Sequence, residues 1–433
     1  MNMFDFFNKI RLIFSKSTQG QTCVDTSETY TPKLNADKKK LSKYPWLRDY
    51  SEMTELQKQA IGLPIDQNIL ISGFPRSGKK LILFFRAQYL MNQYNIPPER
   101  FAIIVANSDL RDYVSSILDA FMLPKTSVLT IKDLLDDYNR NHLKSESCQT
   151  NLNVNGYVDL TVCVLPHLNQ ARQDQNAIYD FVLIDEVQNV SHNDLKFLGM
   201  ISRHVTACMA YEGINDLDRG TAEIMQQLGT SDVFELRAHF TCHEIANFAA
   251  QFINVSNDRD KYISQSNTQS ASCDVPSIFY ALNREQEVIR IMEIIDKSYG
   301  QRIGIIFPTV NKANEFRQWF RKVCLNWLTN YNKNNPPEIM TYDEADGREF
   351  DVVIMASLRE VLFEKIVDVE HRIFSGITRA LKNVYIISWG KVDSSSLSNI
   401  LALRTKGLAK VEVQRRKKSR PFLQGDGTGL KKV

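Results

Sequence analysis

Short, continuous apolar runs alternate with helical patterns along most of this chain, and that alternation restricts the fold more than any other feature. NILIS (68–72), FAIIVAN (101–107), SVLTI (127–131), FVLIDE (181–186) and TACMAY (206–211) read as strands. KKLILFFRAQYLMNQY (79–94), DLRDYVSSILDAF (109–121) and KDLLDDY (132–138) read as the helices between them. A second set follows. SIFYAL (277–282), RIGIIFP (302–308), EIMTY (338–342), DVVIMAS (351–357) and NVYIISW (383–389) are its strands, and EQEVIRIMEIIDK (285–297) and NKANEFRQWFRKVC (311–324) its helices. Strands without a polar face are buried on both sides, as in parallel sheets covered by helices. Strand–helix alternation of this kind predicts an α/β fold. A chain of 433 residues is long enough for two such units.

The composition, 43% hydrophobic and 24% charged, is that of a globular protein. No apolar run approaches the roughly 20 residues of a membrane span. Cys23, Cys148, Cys163, Cys208, Cys242, Cys273 and Cys324 are scattered singly, which argues against a disulfide framework or a zinc ribbon and for a reducing, cytoplasmic setting. His239 and His243 are four apart, but no third ligand type clusters beside them, so no metal site is read there. Phe4, Phe7, Ile10 and Phe14 mark one face of an N-terminal helix, followed by a polar linker up to residue 50. From residue 404 onward ten Lys and Arg face two acids, so the basic character sits in the tail and the body is net acidic. The tail, 401–433, is expected to be disordered. The N-terminal helix and this tail are the expected docking points for a protein partner.

Two motifs carry chemistry. GFPRSGKK (73–80) follows a strand and opens a helix. Its glycines let backbone N–H groups turn toward phosphate oxygens, and the helix N-terminus adds positive potential. Gly73, Phe74, Pro75, Arg76, Ser77, Gly78, Lys79 and Lys80 are therefore candidate nucleotide-binding residues, with Lys79 reaching the β- and γ-phosphates. The residue after that lysine is usually Ser or Thr, whose hydroxyl ligates Mg²⁺; here it is Lys80. The second motif, FVLIDEVQN (181–189), delivers Asp185 and Glu186 at the carboxyl end of a strand. Asp185 is the expected Mg²⁺ ligand and Glu186 the expected general base.

The string DEVQ resembles the second motif of UvrD-like superfamily 1 helicases. Other positions agree in order over roughly 50–390. MTELQKQAI (53–61) resembles the leading glutamine motif, with Gln57 as the adenine-reading residue. ANS (106–108) and VLTIKDLL (128–135) resemble single-strand contact motifs. TYDEADGREFDVVIM (341–355) resembles the fifth motif, with Gly347 and Glu349 matching, and SGITRALKNVYII (375–387) the sixth, with Arg379 as the arginine finger.

The resemblance implies two RecA-like parallel-sheet domains of the P-loop NTPase type, 51–235 and 236–400, with a nucleotide cleft between them. It implies ATP and Mg²⁺ as cofactors and Lys79, Asp185, Glu186 and Arg379 as the catalytic set. It also implies an ATP-dependent translocase or helicase on single-stranded DNA, with RNA as the alternative, serving in repair or defence against phage. Asn107, Ser108, Thr130 and Thr341 are the implied nucleic-acid contacts. The chain departs from the pattern at several places. Glu212 and Asn215 stand for the third-motif Asp and Gln, with Asn215 still a candidate nucleotide contact. Thr241 stands for a nucleotide-contacting arginine, and Asp346 for the lysine before Gly347. With Lys80, these departures make a helicase-like subunit with weak or no ATPase activity the rival reading.

Overall fold

The computed structural model describes residues 30–37, 44, 46–138, 177–210, 220–253, 255–266, 273–327, 336–358, 369–389 and 402–414. The expected N-terminal helix, Glu212, Asn215 and the end of the tail lie outside these residues. Among the described residues no helix is long and apolar enough to cross a membrane.

The first sheet contains β1 (Ile69–Gly73), β2 (Phe101–Val105), β3 (Val128–Thr130), β4 (Tyr179–Ile184), β5 (Ser202–Ala210) and β6 (Val233–Leu236). The second contains β7 (Ser277–Ala281), β8 (Ile303–Phe307), β9 (Glu338–Thr341), β10 (Phe350–Met355), β11 (Ala380–Trp389) and β12 (Lys410–Val413). The strand orders are β3-β2-β4-β5-β1-β6 and β12-β7-β11-β10-β8-β9. Every pairing in both sheets is parallel. The chain is thus an α/β protein with two RecA-like parallel-sheet domains.

Side chains alternate across the strands, and in the central ones both faces are buried. Ile69 and Ile71 enter one core of the first sheet with Phe84, Phe85 and Phe121, while Leu70 enters the other with Val182 and Ile184. In the second sheet Val353 and Met355 face one core, and Val352 and Ile354 the other. Burial on both sides is why these strands lack a polar periodicity in sequence.

β12 extends the second sheet beyond residue 400, into the segment read from sequence as a disordered tail. KVEV pairs in register with β7, from Lys410 opposite Ser277 to Val413 opposite Tyr280. As an exposed edge strand it needs no apolar run, so its sequence resembles the basic tail around it. The cysteines also differ from expectation. Cys242 and Cys273 are joined by a disulfide with Cα atoms 6.3 Å apart, a normal span for such a bond; 31 residues separate them and no local spacing marks the pair.

Two buried polar groups tie the first strands and helices together. Arg86, on the helix Lys79–Gln93, is fully buried, and among the described residues its hydrogen bonds go to carbonyls, Thr206 and His204 and to no carboxylate. It donates to the carbonyls of Ile61 (2.8 Å) and Leu63 (2.7 Å) and to Thr206 Oγ1 (2.9 Å). It thereby anchors the chain that follows the helix Glu55–Ile61. Burial lowers its guanidinium pKa to about 10, so the group remains charged. His239 is also fully buried. Its ring stacks on Tyr262 at 4.2 Å and meets Phe74 edge-on at 5.8 Å. Its Nε2 donates to the Tyr262 carbonyl at 2.7 Å, which fixes the neutral tautomer. It precedes the helix His243–Ala249, so His239 and His243 share no helix face.

Arg86→Met leaves those carbonyls buried without a donor. We expect it to lower the unfolding free energy by about 3 kcal/mol, measured by urea denaturation; a loss under about 1 kcal/mol would mean the carbonyls find other partners. Burial holds the His239 pKa down at about 4, against an ordinary 6.5. The unfolded chain therefore binds a proton that the folded chain refuses between these values. Stability is complete above about pH 6.5 and falls as pH drops toward 4, by roughly 3 kcal/mol from this group. His239→Gln should flatten that part of the profile of unfolding free energy against pH.

Candidate nucleotide site

β1 ends at Gly73, and the loop that follows turns sharply into the helix Lys79–Gln93. Arg76 (φ 64°) and Gly78 (φ 90°) take the left-handed conformation, which glycine adopts without penalty and arginine does not. A Cβ on Gly78 would lie 2.4 Å from Gln57 Nε2, so the close approach of Gln57 also requires glycine there. Gln57 donates from Nε2 to the Ser77 carbonyl at 2.9 Å and accepts the Thr54 N–H at 3.0 Å. It is a brace of the loop as well as a lining residue. Phe74, read from sequence as a nucleotide contact, buries its ring in the core of the second domain against Tyr262 (5.1 Å). Only its backbone remains with the loop: its carbonyl accepts from Lys79 Nζ at 3.2 Å, as the Gly73 carbonyl does at 2.8 Å.

β4 carries Asp185 and Glu186 to the same edge, separated from β1 only by β5. Glu186 lies in the left-handed region (φ 50°) and accepts from Gln188 Nε2 at 2.7 Å. Gln188 in turn accepts the Ala210 N–H of β5. Burial, with Glu186 alongside, pushes the Asp185 carboxyl above its ordinary range, although Lys80 and Lys79 pull it down. Burial also acts to raise Glu186, but Lys79, the Gln188 hydrogen bond, Arg379 and Lys80 outweigh it and hold that carboxyl below its usual range.

The second domain closes over this edge. Arg76 donates to the Ala380 carbonyl at 3.1 Å and its Nε lies 3.6 Å from Glu349. Lys80 donates to the Gly347 carbonyl at 2.8 Å, and its Nζ is 3.6 Å from Asp185 Oδ2. Arg379, just after the helix Val369–Thr378, donates to Asp346 Oδ1 (3.1 Å) and Ser375 Oγ (3.2 Å). Thr241 is fully buried beside Tyr262 and presents nothing to the cleft.

These residues enclose a cavity of about 390 Å³ between the domains, within the range of small-molecule sites. Gln57, Arg76, Gly78, Lys79, Lys80, Asp185, Glu186, Gly347, Glu349 and Arg379 all line it. Sequence reasoning missed Trp46, Arg48, Phe240 and Lys382, which line it too. Trp46 is held by Tyr113 OH (2.9 Å), and the Arg48 guanidinium covers the Phe240 ring at 3.9 Å. No motif marks any of the four. Six cations line the cavity, Arg48, Arg76, Lys79, Lys80, Arg379 and Lys382, against four acids, Asp185, Glu186, Glu349 and Asp351. That balance suits a polyanion such as a triphosphate.

The donor set does not suit Mg²⁺. No hydroxyl follows Lys79, and the Lys80 ammonium stands 3.6 Å from Asp185 Oδ2, the carboxylate expected to hold the metal. Mg²⁺ requires six oxygen ligands at about 2.0–2.1 Å, and a cation this close repels it.

The expected nucleic-acid contacts separate. Asn107, Ser108 and Thr130 line one cavity of about 600 Å³ that also reaches Asp185 and Glu186. Its other charged lining is Arg111 and Lys132 against Asp133, Asp136 and Asp194. Thr130 exchanges hydrogen bonds with Asp133, and Asn107 caps the helix Ser108–Ser115. Thr341 lies on the second sheet, where it caps the short helix Tyr342–Ala345.

No family model matches this chain, and no curated protein matches it. Among solved structures it is similar to the C-terminal domain of a possible DNA helicase from Lactobacillus plantarum WCFS1. The identity is 15% and the TM-score 0.30, over 40% of this chain and 99% of that one.

Proposed function

We propose that the chain is an ATP-binding motor module of the UvrD-like kind, which couples closure of its two domains to movement along single-stranded DNA. The observation that carries this reading is the cavity at the domain junction, where the P-loop, the Asp185-Glu186 pair and Arg379 converge from both sheets. Lys79 is positioned to leave its loop carbonyls for the β- and γ-phosphates. Glu186, held ionised, can orient a water and accept its proton. Arg379 would exchange Asp346 for the charge that develops on the transferred phosphoryl group, as arginine fingers do. Arg76 and Lys80 already bridge the two domains, so a nucleotide that competes for them changes how the domains hold together. Asn107, Ser108, Thr130 and Thr341 remain the proposed strand contacts, and the acidic groove beside the first three favours base or sugar contacts there over phosphate.

The second reading, a nucleotide-binding subunit with little turnover, is favoured by two contacts. Lys80 sits on Asp185, and Arg379 is paired with Asp346.

Steady-state ATPase measurements with and without single-stranded DNA separate the two. The motor reading expects DNA-stimulated turnover, lost by roughly a hundredfold or more in Lys79→Ala and in Glu186→Gln, with Glu186→Gln still binding nucleotide. Tight binding without turnover supports the second reading. Absence of both nucleotide binding and DNA binding ends the proposal.

A further inference from the structure

We infer that this site takes its nucleotide as the metal-free triphosphate, with the Lys80 ammonium in the place of a divalent cation. The inference rests on the nucleotide-site reading above and concerns the ionic form of the ligand.

Lys80 is the second residue of the helix Lys79–Gln93, the position whose side chain ordinarily faces the metal. Its side chain is 14% exposed and does not turn to solvent. Nζ lies 3.6 Å from Asp185 Oδ2 and 2.8 Å from the Gly347 carbonyl oxygen, so two oxygens from opposite domains already surround it. The opposite wall is shaped to receive it. Gly347 has φ 74°, and a Cβ built there would stand 2.6 Å from Lys80 Nζ. Glycine takes the backbone turn without strain and leaves the ammonium where it stands, whereas a Cβ would push it aside.

A metal normally does two things at such a site: it links the first-domain acid to the phosphates, and it offsets their charge. The ammonium can do both through N–H donors. It carries three, of which one is given to the Gly347 carbonyl, so that donors remain for a phosphate oxygen beside the ion pair with Asp185. Lys79, Arg76 and Arg379 line the same cavity and supply further positive charge. The helix N-terminus adds its own. A hydrated Mg²⁺ entering beside Asp185 would meet the Lys80 charge 3.6 Å from that carboxylate.

The test uses the full chain and a fluorescent ATP analogue, titrated in excess Mg²⁺ and again in EDTA. Wild-type protein is expected to bind with affinities within about threefold of each other. Lys80→Thr, which restores a hydroxyl and removes the charge, should weaken binding in EDTA by tenfold or more and recover it in Mg²⁺. Lys80→Arg keeps the charge and should remain indifferent to the metal. Circular dichroism spectra and unfolding midpoints matching wild type qualify the variants, and the wild-type comparison alone decides the matter should they not fold. Wild-type binding that is tenfold or more tighter with Mg²⁺ overturns this inference and leaves the nucleotide-site reading intact. No binding in either condition overturns both.

Discussion

Every strand in each sheet runs the same way, and the rest of the molecule depends on that constraint. A parallel sheet gathers all its carboxyl ends on one edge, where the helix-bound turns emerge. β1 therefore delivers the P-loop beside the acids carried by β4, although more than a hundred residues separate them. β5, inserted between the two strands, spaces them and contributes the Ala210 N–H that fixes Gln188, which in turn holds Glu186.

Buried polar contacts then make the edge rigid. Gln57 braces the P-loop from the side, Arg86 pins the segment after the helix that carries Gln57, and Phe74 reaches across to pack on His239 and Tyr262. The loop is consequently held by both domains. His239 stays neutral because a proton on its free nitrogen would be stranded in an apolar pocket beside Arg76. Arg48, Arg76, Lys79, Lys80, Arg379 and Lys382 bring their charge to the cavity wall.

The central strands were legible in sequence because burial on both faces makes them uniformly apolar. NILIS, FAIIVAN and DVVIMAS each predict a strand found within two residues of the expected ends. Of the four edge strands, β3 and β9 were read from SVLTI and EIMTY, whereas β6 and β12 were not, since VFEL is too short to stand out and KVEV lies in a charged segment. The same division holds at the site. Lys79, Asp185 and Glu186 sit in local strings whose strand-and-loop setting implies their placement, and Arg379 sits in a string that the helicase resemblance marks. Trp46, Arg48, Phe240 and Lys382 reach the cavity from separate segments through long-range packing, which no local pattern records. The Cys242–Cys273 bond is of this second kind. Phe74 shows a third case: its backbone belongs to the motif while its side chain serves the opposite core.

Gly347 and Lys80 are 267 positions apart, yet neither can change freely while the other remains. A side chain at 347 would crowd the ammonium, and the turn there, at φ 74°, favours glycine in its own right. The two are therefore expected to drift through descent as a linked pair. A lineage that regained a hydroxyl at 80 would be released to accept a bulkier residue at 347 wherever the turn allowed it. Among diverged copies of this protein, the pair would record which lineages kept the built-in cation.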